Sequence, residues 1–261
     1  MSYTFHKYQG TGNDFVILDN RKNEIALTTK QIKHLCDRRF GIGADGLMLL
    51  NQLPGYDFEM KYYNADGNES SMCGNGGRCL VKFAYHTGIH KSLYRFMAID
   101  GVHEATIEDN GWVKLKMKDV DHIEHHHGAD ILNTGSPHYV RSVNNVRHFP
   151  VVQEGREIRY SKQFQHEGIN VNFVQEMDNN TIYVRTYERG VEDETLSCGT
   201  GVTAAALIYA HNDFGFNRIE IQTPGGQLAV EFYKKNGSGF ENIWLCGPAE
   251  LVFEGIIQVI G

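Results

Sequence analysis

Three blocks of this chain occur twice, in the same order. "TGNDFVI" at 11–17 returns as "TGSPHYV" at 134–140, 123 residues later. "NADGNESSMCGNG" at 64–76 returns as "ERGVEDETLSCGTG" at 188–201, with Cys73 and Cys198 offset by 125. After each cysteine a helix-like segment leads to a strand-turn-strand: "LYRFMAIDGVHEATIED" in the first half, "RIEIQTPGGQLAVEFY" in the second. Repeats of 20 to 50 residues build solenoids, whereas one of more than about 100 residues means two similar lobes. A junction is expected near 118 to 130, in "DVDHIEHHHGAD", dividing an N-terminal lobe, 1–122, from a C-terminal lobe, 123–249. The final segment, "ELVFEGIIQVIG" (250–261), is a strand in excess of the second repeat and is expected to complete the first lobe.

Periodicity sets the class as α+β and strand-rich. In "TGNDFVILDN", "YDFEMKYYN", "WVKLKMKDV", "GINVNFVQE" and "TIYVRTYE", β-branched and aromatic residues alternate or run between turn signals, as strands do. Helices are expected in "TTKQIKHLCDRRFG", with a threonine start and a glycine stop, in "GGRCLVKFAYHTG" and in "GVTAAALIYAHNDFG". Each half thus places a helix directly after its key cysteine.

With 261 residues, 41% hydrophobic and 22% charged, the chain can fill two lobe cores. A net charge of −7, with Lys and Arg scattered, offers nothing to a phosphate backbone, so nucleic acid is not an expected partner. No run approaches the roughly 20 apolar residues that cross a bilayer, and "MSYTFHKYQGTGNDF" lacks a basic head with an apolar core. A cytoplasmic protein without a membrane partner is expected. Five cysteines, Cys36, Cys73, Cys79, Cys198 and Cys246, make a poor disulfide framework. Cys36 and Cys246, among apolar neighbours, read as small hydrophobes, and Cys79 as facing a lobe core.

Cys73 and Cys198 differ from these. A glycine-flanked loop running into a helix presents unpaired backbone N–H groups and the positive end of the helix dipole, an arrangement that holds anions. A thiol there has its pKa, ordinarily about 8.5, pulled down. Two such ends facing across a cleft could hold one carboxylate while a sulfur approaches from each side. Inversion at a stereocentre needs that pair, one group removing a proton and the other returning one to the opposite face. Negative charge growing into the carboxylate is stabilised by the helix ends.

"KYQGTGNDFVILD", "RRFGIGADGL", "YYNADGNESSMCGNGGRC", "TGSPHYV", "GINVNFV" and "YERGVEDETLSCGTG" together resemble the diaminopimelate epimerase family over nearly the whole chain. The resemblance implies two pseudo-symmetric lobes, each a sheet wrapped around a central helix, with the active site between them. It also implies a cofactor-independent isomerase that interconverts L,L- and meso-diaminopimelate in lysine and peptidoglycan-precursor synthesis, with neither cofactor nor metal, and often as a homodimer. Carried over residue by residue, Cys73 and Cys198 are the catalytic acid/bases, and His138 and Glu188 help to ionise them. Backbone N–H groups of Gly74, Asn75, Gly199 and Thr200 hold the reacting carboxylate. Asn13 and Glu188 meet the ammonium. Asn64, Asn170 and Arg189 grip the far end, where a guanidinium fork can take a carboxylate. Ser136 stands where many members have asparagine, and Gly46 where many have glutamine.

Blander readings stand beside these. Asn13, Asn64 and Asn170 suit ordinary turns, and Glu188 with Arg189 an ordinary surface pair. "HIEHHHG" at 122–128 could bind a metal, though an exposed hinge loop is the better expectation, and no CxxC or matching histidine spacing accompanies Cys73 or Cys198. A proline racemase-like enzyme would not need Arg189 and three asparagines, and phenazine-pathway isomerases lack the cysteine pair. A cysteine-nucleophile hydrolase or acyltransferase leaves one thiol unexplained, and a thiol redox protein normally uses CxxC. A non-catalytic amino-acid-binding module needs neither thiol.

Overall fold

The computed structural model describes residues 2–126, 128–177, 180–236 and 239–258. The chain forms two compact units, Met1–Leu115 with Pro248–Gly261, and Lys116–Gly247. In chain order the first carries β1 (Ser2–Gly10), β2 (Asn13–Asn20), α1 (Thr29–Cys36), β3 (Gly46–Asn51), β4 (Phe58–Asn64), α2 (Gly74–His86), β5 (Tyr94–Ala98), β6 (Gly101–Ile107) and β7 (Val113–Lys116). The second carries β8 (Glu124–His126), β9 (Ala129–Asn133), β10 (Pro137–Ser142), α3 (Val151–Arg159), β11 (Asn170–Glu176), β12 (Thr181–Glu188), β13 (Asp193–Thr195), α4 (Gly199–Ile208), β14 (Gly215–Thr223), β15 (Gly226–Lys234) and β16 (Phe240–Gly247). β17 (Glu250–Gln258) belongs to the first unit.

Each unit repeats one topology. In the first, β1 and β2 pair antiparallel, β2 runs parallel to β3 through α1, and β4 runs parallel to β5 through α2, with β6 and β7 following as antiparallel neighbours. In the second, β9 and β10 pair antiparallel, β10 runs parallel to β11 through α3, and β12 runs parallel to β14 through α4 before β15 and β16. Parallel neighbours need a crossover, and the helices supply it. The remaining edge is covered differently in the two units. β8 precedes β9 and pairs with it, whereas β1 is flanked by β17, brought back from the end of the chain. Residues 259–261 of that expected strand lie outside the described residues.

The two post-cysteine helices are the hearts of their units. α2 buries Gly74 through Val81 together with Phe83 and Ala84. α4 buries Gly199 and Gly201 through Leu207, and its "AAALI" run is apolar on every side, as a helix enclosed by sheet can be. α1 and α3 lie over the crossovers and cover separate apolar clusters. Ile32, Leu35 and Cys36 pack with Val16, Leu18, Leu47 and Leu49, and Val151 packs with Val171, Phe173 and Tyr187.

α1 is shorter than its sequence suggests. It starts on a capping box, with Thr28 Oγ1 accepting from Gln31 N–H and Gln31 Oε1 accepting from Thr28 N–H. It stops at Cys36 because the Asp37 carboxylate takes the N–H groups of Arg39 and Phe40 into a turn, well before Gly41.

Candidate active site

Cys73 and Cys198 occupy the same position in the two units, the N-cap of the central helix, in extended backbone. Neither makes a side-chain cap bond, and neither first turn contains an acidic residue. The first intrahelical bonds are Gly77 N–H to Cys73 O and Val202 N–H to Cys198 O. The N–H groups of Gly74, Asn75, Gly199 and Thr200 therefore lie ahead of the helical ladder, at the positive end of each dipole. Asn75, Gly74 and Gly199 are buried, Cys198 is 7% exposed and Cys73 is half-buried.

In the first unit Cys73 is tied to Asn13, at the start of β2. Its thiol donates to Asn13 Oδ1 at 3.5 Å, and Asn75 Nδ2 donates to the same oxygen at 3.5 Å. Asn13 Nδ2 in turn donates to Asp45 Oδ2 at 2.6 Å, and Arg78, fully buried in α2, donates to Asn75 Oδ1 at 3.0 Å. Donors all point one way, from the Arg78 guanidinium through two amides to the Asp45 carboxylate, and each bond in such a chain polarises the next. Asp45 also accepts from Arg38 at 2.8 Å, and Arg38 forks onto Asp14 at 2.7 and 2.9 Å. Lys7 adds a 2.8 Å ion pair to Asp14. These two cations hold the Asp14 carboxyl well below the usual carboxylate range, although burial opposes them as the largest single influence. Asn64 lies at the exposed end of β4, opposite Gly46 in β3, and its backbone is engaged with Gly67 and Asn68. A Cβ at Gly46 would meet Tyr62 Cε2 at 2.5 Å, so the Tyr62 ring takes the room a side chain there would need.

In the second unit Ser136, Asn170 and Arg189 come together. Asn170 Nδ2 donates to Ser136 Oγ at 2.9 Å, Arg189 Nη2 donates to the same hydroxyl at 3.2 Å, and Asn170 Oδ1 accepts Arg189 N–H at 2.9 Å. Glu188, at the end of β12, accepts from the Thr195 hydroxyl at 2.9 Å. Cys198 Sγ lies 3.6 Å from Thr200 Oγ1, and Thr134 fixes the helix end by donating to Thr200 O at 2.8 Å. His138, in β10, is fully buried, and burial, with the Arg189 charge adding to it, pushes its pKa down to about 3. The imidazole is neutral at physiological pH and can stabilise a thiolate only by donating to it.

A family model described as diaminopimelate epimerase matches residues 5–123 and 131–252. The chain belongs to that family. It is 52% identical over 254 residues to a diaminopimelate epimerase of Flavobacterium psychrophilum, covering 97% of this chain and 99% of the relative. Among solved structures it resembles a phenazine biosynthesis protein of the PhzF family from Bacillus anthracis, at a TM-score of 0.79 and 15% identity over 99% of this chain and 100% of that one. A hydroxyproline epimerase from Agrobacterium vitis follows at 0.68 and 13%, over 98% and 92%. At such low identity these structures speak for the fold alone.

Sequence reading of the epimerase motifs missed Asp45, Arg78 and Asn172. Asp45 sits inside "RRFGIGADGL", and Asn172 stands two residues after Asn170 on one face of β11, which is the one sequence signal that pairs them. Cys36, Cys79 and Cys246 are buried in the cores. Burial pushes the Cys36 and Cys79 thiols up to about 12, which keeps them protonated. In the histidine loop, His125 pairs with Asp130 and His126 with Glu124, while His127 lies outside the described residues. Among the described residues no group of three or more His, Cys, Asp and Glu is arranged to hold a metal ion, and no helix is long and apolar enough to cross a membrane.

Proposed function

We propose that the protein is a diaminopimelate epimerase that inverts one α-carbon between the L,L and meso forms with two thiols. The observation that carries this reading is that the same cysteine caps the same helix in both topological repeats of a chain from this family. One sulfur, as thiolate, takes the α-proton from one face. The other, as thiol, gives its proton to the opposite face, so one S–H bond forms as the other breaks and the roles are exchanged at the end of a turnover. Charge growing into the substrate carboxylate is met by the N–H groups of Gly74, Asn75, Gly199 and Thr200 at the two helix ends.

Remaining contacts follow from chemistry. The ammonium is met by Glu188 and by Asn13 Oδ1. The distal end is taken by Arg189 with Asn170, Ser136 and Asn64, and the Ser136–Asn170–Arg189 cluster favours a substrate with a second polar end over proline. His138 supports a thiolate as a donor. We place the enzyme in the cytoplasm, in lysine synthesis, as a homodimer; four exposed apolar residues of β17, Leu251, Val252, Phe253 and Ile256, favour a second copy.

The test is direct. Pure protein under reducing conditions, given L,L-diaminopimelate and no added cofactor, should form meso-diaminopimelate until both are present at equilibrium, as read by chiral chromatography. Racemisation of proline with diaminopimelate untouched would overturn the reading.

A further inference from the structure

His138 and Asn172 lie next to each other on the parallel pair β10–β11, where His138 is in register with Asn170 and Asn172 with Val140. Asn172 Nδ2 approaches His138 Nδ1 at 3.1 Å. Three further facts fix which way round that amide stands. Thr186 donates its hydroxyl to Asn172 Oδ1 at 2.9 Å, Asn172 Nδ2 donates to the Tyr139 carbonyl at 3.1 Å, and all of this is buried, with Asn172 fully so. Turned over, the amide would set its oxygen against the Tyr139 carbonyl and lose that bond, so the orientation follows from the network. An amide nitrogen is only a donor, and the imidazole nitrogen that receives it must therefore carry the lone pair.

The proton of the neutral ring is then on the other nitrogen. Nε2 is buried and has no hydrogen-bond partner among the described residues. A buried N–H left in that state is costly and calls for an explanation, one being a partner that arrives only with the reaction. The first turn of α4 leans on the same group, since a Cβ at Gly201 would overlap Asn172 Oδ1 and stand 3.3 Å from Cys198 Cβ.

We propose that Asn172 is a positioning residue that holds His138 as the Nε2–H tautomer, so that the imidazole meets the reaction as a hydrogen-bond donor and not as a base. The part played in turnover rests on the epimerase reading; the tautomer does not. No bond is made or broken at the ring. Its N–H lies ready for an anionic acceptor, the thiolate or the carboxylate into which charge develops, and such preorganised donors act without reorganising during the step.

Selective 15N labelling of the histidines in the full chain decides this, with His138→Gln used to assign the signal. In the otherwise unaltered protein near neutral pH, His138 should show an unprotonated Nδ1 and a protonated Nε2; a protonated Nδ1 overturns the proposal. Asn172→Asp places an acceptor where the donor was and should move the proton to Nδ1, lowering kcat on the order of 100-fold with little change in KM, within the range of a lost donor or acid/base contribution. If Asn172→Asp does not fold, the spectrum of the unaltered protein still decides. A switched tautomer with unchanged kcat would overturn the positioning role. An Nε2–H signal in a protein that does not invert diaminopimelate would overturn the epimerase reading while leaving the hold of Asn172 on the ring intact.

Discussion

Asp45 accepts a 2.6 Å hydrogen bond from Asn13 Nδ2, and in doing so turns Asn13 Oδ1 toward the Cys73 sulfur. Without the carboxylate only the long 3.5 Å bond from Asn75 Nδ2 holds the amide, which can then turn its nitrogen toward the thiol. Asp45→Ala should therefore lower kcat by about 10- to 100-fold, the equivalent of a hydrogen bond to a charged group at about 1.5–3 kcal/mol. Thermal stability should fall little, because Asp14 keeps Lys7 and Arg38 in place. Steady-state rates and a melting curve on the same preparation check it; an unchanged kcat would mean that the orientation of Asn13 is irrelevant to Cys73.

That relationship was only half legible in the chain. The capping cysteines, their glycine-rich first turns and the repeat that relates them stand out because their residue types recur at a fixed offset. Asp45 and Asn172 do not, since an aspartate in "GAD" and an asparagine in "NVN" are equally at home in a turn or at a strand end. Their roles appear only when parallel pairing brings β3 beside β2 and β11 beside β10, contacts across more than 30 residues that no local pattern announces. α3 was missed for a different reason. Gly155 interrupts its helical pattern, and the structure needs a glycine there because the Tyr187 ring lies where a Cβ would go. Asn64, by contrast, was read from its block, and it stands at an exposed strand end outside the Arg78–Asn75–Asn13–Asp45 chain.

Gly201→Ala and Gly76→Ala should differ, although both glycines lie in the first turn of a central helix. At Gly76 the new methyl would meet Met48 Cε at 2.7 Å, the end of a flexible side chain that can move aside. At Gly201 it would meet Asn172 Oδ1, pinned by Thr186 and by the two bonds of its amide nitrogen. Overpacking of that kind costs about 1–3 kcal/mol. Urea unfolding should show the larger loss for Gly201→Ala; equal losses would mean that Asn172 is not held rigidly.

Acid should weaken the protein through His138. Its pKa is pushed down to about 3 by burial, against about 6.5 for a free imidazole. Between those values the unfolded chain binds a proton that the folded chain refuses. Stability from this group is thus full above pH 6.5 and falls as pH drops through 6.5 toward 3, by about 1.4 kcal/mol per unit. The Asp14 carboxylate is also shifted down, by its paired cations and not by burial, so its contribution is lost only as pH falls below the ordinary carboxylate range. Unfolding free energies between pH 7 and 5 should fall more steeply for the native chain than for His138→Gln; parallel curves would contradict the buried, neutral imidazole.

Thiol reactivity should sort the cysteines. Cys36 and Cys79, pushed up to about 12 by burial, hold only about one part in 10⁴ as thiolate at pH 8 and should resist alkylation in the native protein. Cys73, half-buried at a helix N-terminus, should react first. Peptide mapping by mass spectrometry after brief iodoacetamide treatment reads the order, and labelling of Cys79 ahead of Cys73 would contradict it.

The two-thiol account is tested most directly in deuterium oxide. Each sulfur can hold only one hydrogen, so a proton taken by the thiolate stays on that sulfur until the turnover ends, while the thiol on the other side delivers deuterium from solvent. Early in the reaction of L,L-diaminopimelate, the meso product should carry deuterium at the inverted α-carbon and the recovered substrate should still carry hydrogen, by proton NMR and mass spectrometry. Product that retains the original hydrogen, or deuterium entering substrate and product equally from the first turnover, would mean that one group serves both faces and that Cys73 and Cys198 do not divide the work.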